Sequence, residues 1–377
     1  MPYDHSKYLP QEKLSFIYHL ADHCNLNCKG CDHFSSIAGK NNTDFDTFKC
    51  DMHRMAELFG DKVEKIGLMG GEPLLNQDIC KFIKESRSAF PQNRIRVVTN
   101  GLLLCNMPQE FWDTCRKCHI EIEYTKYPVN LNFNEIEKIA DHNDVTISAY
   151  GMSGEIQKSL HFIPLDIKGE QNPDNNFSRC YHANNCVQVK DGKIYTCTVR
   201  ANMEVFCDTY DVDMELNEND CLDIYKQDIN AEKILRFLAA PIPFCRYCYV
   251  NKRSFGHPWR SNGEGSIYDW IPYELDTRGI STLDKYRKII VYGAGIIAHK
   301  AVTCLLQHFD RKRIQIVVTS IGNQEDEIEG IEVIEMHTLS PSEEDVFLIA
   351  TNAGFQLKIE NLLVERGYKN IYLLDMD

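Results

Sequence analysis

At 377 residues the chain is too long for one average domain, so two or three units are expected. Its 43% apolar and 25% charged residues are ordinary for a globular protein, no apolar run approaches the ~20 residues of a membrane helix, and MPYDHSKYLPQEKL lacks a secretory pattern, so a cytoplasmic location is expected. The net charge of −14 argues against nucleic acid as main partner, because that binding rests on clustered Lys and Arg neutralising phosphates, but leaves room for a small molecule held in a local pocket.

In chain order, the first half alternates strand-like and helix-like runs, the pattern of a parallel α/β domain. LSFIYHL (14–20) is the first strand, FDTFKCDMHRMAELF (45–59) has helical spacing, and KIGLM (65–69) is a strand running into GGEP. CKFIKESRSAF (80–90) is a second helix, and RIRVVTN (94–100) a third strand ending in Asn-Gly. EFWDTCRK, IEIEY, NEIEKIADH and VTISAYG continue the alternation, and LHFIPLDI (160–167) is a sixth strand. Such a series suits a partial (βα)6 barrel over 1–170 with its site at the strands' C-terminal ends. In IEIEYT, period-two alternation puts Glu121 and Glu123 on one face, where one of them touches SAM or substrate or both line a solvent edge.

From 171 to 260 the regularity fails, and a polar stretch carries Cys180, Cys186, Cys197, Cys207, Cys221, Cys245 and Cys248. So loop-rich a segment calls for a metal centre as staple. Residues 261–286 read as a connector, and 287–377 as a second α/β unit with strands KIIVY, IQIVVTS, DVFLIATN and NIYLLD.

Sixteen cysteines in a chain expected in a reducing compartment point to metal ligands rather than disulfides, while isolated ones such as Cys50, Cys80 and Cys304 read as small buried apolar residues. Cys24-Asn-Leu-Asn-Cys28-Lys-Gly-Cys31 directly follows the first strand. Three thiolates this close can ligate three corners of a [4Fe–4S] cube and leave one iron open to a small molecule's amine and carboxylate. The competing reading is zinc, with His23 or His33 as fourth ligand.

The C-x3-C-x2-C run resembles that of the radical S-adenosylmethionine (SAM) superfamily, and other elements fall in the family's order. Gly70-Gly71-Glu72-Pro73 after the second strand resembles its GGE motif, which implies that Gly70, Gly71 and Glu72 contact the SAM methionyl amine. Thr99-Asn100-Gly101 ends the third strand where the family often places a residue facing SAM or substrate, which makes Asn100 a candidate. The family usually has an aromatic residue just before the third cysteine, near the adenine; here that position is Gly30, and Phe34 is the substitute. The resemblance implies that the reduced cluster passes an electron to SAM, and that a 5′-deoxyadenosyl radical then abstracts hydrogen from an unreactive carbon.

Downstream, Gly192-Lys-Ile-Tyr-Thr-Cys197 and Cys245-Arg-Tyr-Cys248 resemble the twitch subdomain, the shorter relative of the SPASM domain. This implies an auxiliary [4Fe–4S] cluster on Cys180, Cys197, Cys245 and Cys248, with Cys186 competing for the place of Cys180 and a zinc knuckle as the alternative. Cys207 and Cys221 could serve a second auxiliary cluster, though no dense cysteine run follows Cys248. Cys115-Arg-Lys-Cys118 lacks partners and reads as coincidence.

In the last unit, Gly293-Ala-Gly295-Ile-Ile-Ala298 is a G-x-G-x-x-A turn whose backbone amides can cradle phosphate, so Gly293 and Gly295 are candidate nucleotide contacts. IQIVVTS ends in Thr319 and Ser320 rather than the acid that grips a ribose, which favours a structural role. The unit resembles small Rossmann-like domains attached to sugar-modifying enzymes. The leading expectation is therefore a radical SAM enzyme acting on a small polar metabolite, a sugar or nucleotide-sugar, with flavodoxin or ferredoxin as reductant and no membrane partner. Its catalytic residues are not identified. Peptide modification is the second expectation, and a non-catalytic, metal-stapled ligand-binding protein the third.

Overall fold

The computed structural model describes residues 5–150, 159–250, 254–259, 261, 265, 267–271, 282–319, 326–351 and 353–373. It divides into two compact units, one of residues 1–255 with 259–271, the other of 256–258 with 272–377. The expected boundaries at 170 and 260 are therefore not divisions of the fold: most of the cysteine-rich segment belongs to the first unit, and so does much of the expected connector.

The first unit is built on β1 (Leu14–Ala21), β2 (Val63–Gly70), β3 (Arg94–Thr99), β4 (Ile120–Tyr124) and β5 (Ile147–Ala149), paired in parallel in that order. Between them run α1 (Phe45–Phe59), α2 (Ile79–Ala89), α3 (Gln109–Lys117) and α4 (Phe133–His142). Alternation decides the faces. Leu14, Phe16, Tyr18 and Leu20 of β1 join Ile66, Leu68, Ile95, Val97, Ile120 and Ile122 in one core under the helices. Phe48 of α1 meets both Tyr18 and Phe82 with ring centroids 4.8 Å apart, and each such ring contributes roughly 1.5–3 kcal/mol by burial. The start of α1 is set by Asp44, whose carboxylate accepts from Thr47 N, and its end by Gly60 at φ 52°.

A sixth parallel strand is present, but not the expected one. β6 (Ser159–Phe162) lies outside the main sheet. The strand that pairs parallel with β1, on the side opposite β2, is β7 (Gln188–Lys190), in register Ile17↔Gln188. Asp191 and Gly192, both at positive φ, turn it into β8 (Lys193–Tyr195), which β9 (Cys221–Asp223) extends, giving an eight-stranded sheet. Two consecutive positive-φ residues make a type I′ hairpin turn, for which Asp-Gly is a preferred pair. Buried Asp51 of α1 locks this extension to the parallel strands: it accepts from Tyr18 Oη at 2.8 Å, Tyr225 Oη at 2.9 Å and Gly192 N at 3.0 Å.

The cysteine-rich segment has its own core, in which Phe34, Phe177, Phe206, Phe244, Tyr247 and Trp270 surround Cys180, Cys197, Cys245 and Cys248. Aromatic residues scattered along the chain, including Phe34 from the loop after β1, collect in one place.

The second unit is a six-stranded sheet. β10 (Ile289–Tyr292) is central, flanked by β11 (Ile314–Val318) and β14 (Val346–Ile349), with β13 (Ile331–Glu335) and β15 (Ile371–Leu373) outside them. All these pair in parallel, and short β12 (Glu327–Ile328) closes one edge antiparallel. Helices α9 (Ile296–Leu305) and α10 (Ala353–Glu365) follow β10 and β14. Among the described residues no helix is long and apolar enough to cross a membrane.

Candidate functional site

The ends of β1, β2 and β3 meet at one point. Backbone contact there is so close that a Cβ on Gly70 would stand 2.2 Å from Ala21 O, and one on Gly71 2.2 Å from His23 O. Gly71 N donates to Ala21 O at 2.8 Å and Glu72 N to His23 O at 3.0 Å, clamping the Gly-Gly-Glu turn against the exit of β1. Glycine is thus demanded at both places by packing alone.

Glu72 is fully buried and ties the turn to β3: its carboxylate accepts from Leu74 N at 3.1 Å, Thr99 Oγ1 at 2.7 Å and Asn100 N at 2.8 Å. Burial pushes its pKa up to about 7, against the three hydrogen bonds that favour the charged form. Asn100 then reaches the cysteine loop, its Nδ2 donating to Asn25 Oδ1 at 2.7 Å and to Cys24 Sγ at 3.6 Å. Gly70, Gly71, Glu72 and Asn100 are therefore brought together beside Cys24.

The three thiols of the loop interact electrostatically with one another, and burial pushes both Cys24 and Cys28 up to about 12. Each also receives N–H donors. Leu26 N points at Cys24 Sγ at 3.3 Å, the Trp259 indole at Cys28 Sγ at 3.1 Å, and the backbone at His33 and Ser35 at Cys31. Donors aimed at sulfur fit thiolates in an iron–sulfur cluster, where such bonds set the potential.

Cys180, Cys197, Cys245 and Cys248 form the second set. Cys248 interacts with the other three, and Cys197 with Cys180, Cys245 and also Cys186. Cys186 is less buried and stands by His182, whose imidazole pairs with Asp32 at 3.0 Å. Burial would lower the His182 pKa, but Asp32 holds it well above the usual value. All sixteen cysteines are free thiols. Among the described residues no three His, Cys, Asp or Glu groups are set closely enough to hold a single metal ion.

Phe34, expected near the adenine, is instead fully buried at φ 55°, its ring against Phe206 at 5.6 Å and Trp270 at 5.5 Å. It has no free face for a ligand, because it is the wedge that joins the first loop to the second core. The aromatics beside the triad are Tyr127 and Trp259, their rings tilted with centroids 5.4 Å apart, and Trp270, whose Nε1 donates to Cys31 O at 2.9 Å. Sequence reasoning missed all three: Tyr127 follows β4 with no motif around it, and nothing in 251–286 separates Trp259 and Trp270 from a linker. It also missed the buried chain from His19 through His33, 2.7 Å away, to Thr198 and Gln188. That chain links the first loop to the Cys197 segment.

In the second unit, Gly293 at φ 130° would place a Cβ 2.5 Å from Ala350 O, so this glycine serves strand packing, whereas Gly295 precedes α9 with open space around it. Thr319 Oγ1, where an acid was sought, is 2.6 Å from Tyr292 Oη.

The geometry is that of a parallel α/β domain with cysteines gathered at its strand ends, and the sequence comparisons point to iron–sulfur chemistry. Residues 15–147 match the profile described as "4Fe-4S single cluster domain". GTP 3′,8-cyclase of Clostridium acetobutylicum is 34% identical over 136 residues, 34% of this chain and 41% of that protein. The probable GTP 3′,8-cyclase of Methanocaldococcus jannaschii is 29% identical over 118 residues, 30% of this chain and 37% of its own. The chain thus spans less than half the length of these relatives. Among solved structures, BtrN in complex with AdoMet and 2-DOIA is similar at 16% identity and a TM-score of 0.39, covering 68% of this chain and 99% of that one. Another is anSMEcpe with bound AdoMet and a peptide, at 17% identity and a TM-score of 0.28, covering 36% and 42%. Over residues 15–147 these matches support the radical SAM superfamily, whose cofactors are a [4Fe–4S] cluster and SAM.

Proposed function

We propose that this chain is a radical SAM enzyme acting on a small polar substrate, a sugar or nucleotide-sugar, by dehydrogenation, epimerisation or dehydration. When bound, the reduced cluster and SAM supply a 5′-deoxyadenosyl radical that takes hydrogen from carbon. The observation that carries the reading is the hydrogen-bonded junction of three strand ends, where Cys24, Glu72 and Asn100 meet.

In this reading Cys24, Cys28 and Cys31 hold the cluster, and the clamped Gly70-Gly71-Glu72 turn with Asn100 fixes the SAM methionyl group. Cys180, Cys197, Cys245 and Cys248 hold an auxiliary [4Fe–4S] cluster in a twitch-like arrangement. The aromatic core around them keeps bulk water from the reacting centre. The second unit is Rossmann-like, with open space at Gly295 for a nucleotide handle. Flavodoxin or ferredoxin supplies the electron, in the cytoplasm.

Anaerobic reconstitution with iron and sulfide, then dithionite and SAM, tests this. The expected outcome is 5′-deoxyadenosine together with a paramagnetic signal that changes on adding SAM. Loss of neither SAM nor signal shape would leave the non-catalytic reading standing. Nucleotide-sugars rather than peptides should stimulate turnover.

A further inference from the structure

The helix-facing side of the main sheet is apolar, so the alternate residues face the other way, into the concave side. Pairing sets them in rows: Ser15↔Lys65↔Arg94, then Ile17↔Gly67↔Arg96, then His19↔Met69 and Val98↔Glu123. Two Arg–Glu pairs cross from β3 to β4, and they differ. Arg94 is 55% exposed and its Nε reaches both oxygens of Glu121, at 2.9 and 2.7 Å. This is a saturated surface pair. Arg96 and Glu123 keep only 17% and 16% of their side-chain surface and share one contact, Nη1 to Oε2 at 2.5 Å. Arg96 Nε and Glu123 Oε1 are buried with no hydrogen-bond partner among the described residues. The guanidinium lies over Gly67, where a Cβ would stand 3.8 Å from Arg96 Nε and 3.1 Å from Ile17 Cγ2. A strand glycine thus gives the arginine its berth.

We propose that Arg96 and Glu123 anchor the substrate by two neighbouring hydroxyl groups. The proposal rests on the reading of the barrel's concave side as the reaction chamber. A buried donor and acceptor left unmade weaken a fold, so a purely structural pair would be built like Arg94–Glu121. The pair is neutral overall, so it does not select a net ion, and a phosphate or carboxylate would meet the Glu123 charge. It offers one N–H and one carboxylate oxygen that lack partners among the described residues. Vicinal hydroxyls match both, one accepting from Arg96 and the other donating to Glu123. A trans peptide unit does not, because its C=O and N–H point in opposite directions. The substrate class is thereby narrowed to a cyclic polyol or sugar.

The test uses the reconstituted protein with SAM and saturation-transfer NMR, with D-glucose, myo-inositol and UDP-glucose as probes and an N-acetyl tripeptide amide as contrast. At least one polyol should bind. Arg96→Met and Glu123→Gln should each weaken it roughly tenfold or more, while Arg94→Met leaves it unchanged. Circular dichroism and iron content check folding, and the near-isosteric Glu123→Gln decides the matter if Arg96→Met misfolds. Polyol binding indifferent to both substitutions, no polyol binding at all, or preference for the tripeptide amide overturns the proposal. Absence of 5′-deoxyadenosine from the unaltered protein removes the enzyme reading instead, and the NMR titration still judges the anchor.

Discussion

The two cysteine sets achieve similar burial by opposite routes. Cys24, Cys28 and Cys31 come from one short loop, and the strand ends around them are held by backbone contact and one buried carboxylate. Cys180, Cys197, Cys245 and Cys248 come from distant segments, a helix end, a strand end and a 3₁₀ turn, and are gathered by aromatic packing. The first cage is local chemistry framed by a sheet; the second exists only as a product of the tertiary fold. Damage to the fold should therefore spare the first and empty the second.

The largest effect should come from the ligands themselves. Cys28→Ala is expected to abolish 5′-deoxyadenosine formation. Cys245→Ala should lose about half the iron, as expected for one of two [4Fe–4S] clusters, while retaining some SAM cleavage. Unaltered iron and turnover in the Cys245 variant would refute the second cage. Next comes Asp51→Ala, which strands the Tyr18 and Tyr225 hydroxyls and Gly192 N at the hinge between barrel and extension. Chemical denaturation should show a loss of about 3 kcal/mol, with iron escaping from the second cage before the first. Equal loss from both would mean that the cages are not independently held.

The smallest effect lies in the second unit. Burial alone would raise the Asp345 pKa, but the backbone at Ser342 and the Arg287 guanidinium, 2.8 Å away, outweigh it and hold the carboxyl below its usual value. Its stabilising contribution is then complete above the unfolded value near 3.9 and is lost as pH falls through the lower folded one. Acid melting should be flattened in Asp345→Asn by about 1 kcal/mol or less, with iron content unaffected. A change in iron content would tie this unit to the cages.

The first five parallel strands and the order triad, Gly-Gly-Glu, Thr-Asn-Gly were legible because each signal is contiguous and each falls at a strand end. The sixth strand was misplaced onto 160–167, since a short apolar run carries no mark of its partner. The true neighbour of β1, Gln188–Lys190, is shorter still, although Asp191-Gly192 was a readable hairpin turn. The packing of Phe34 against Phe206 and Trp270 was not legible, because a buried aromatic and a ligand-facing one look alike in sequence. Trp259 and Trp270 were invisible for a different reason: they lie 231 and 239 residues from the cysteines they touch.

That separation sets an order of assembly. A ribosome has made Cys24, Cys28 and Cys31 early, yet the loop is not enclosed until Trp270 has left the exit tunnel, and the second cage waits for Cys248. Both sets of thiols therefore stay open to solvent through most of synthesis.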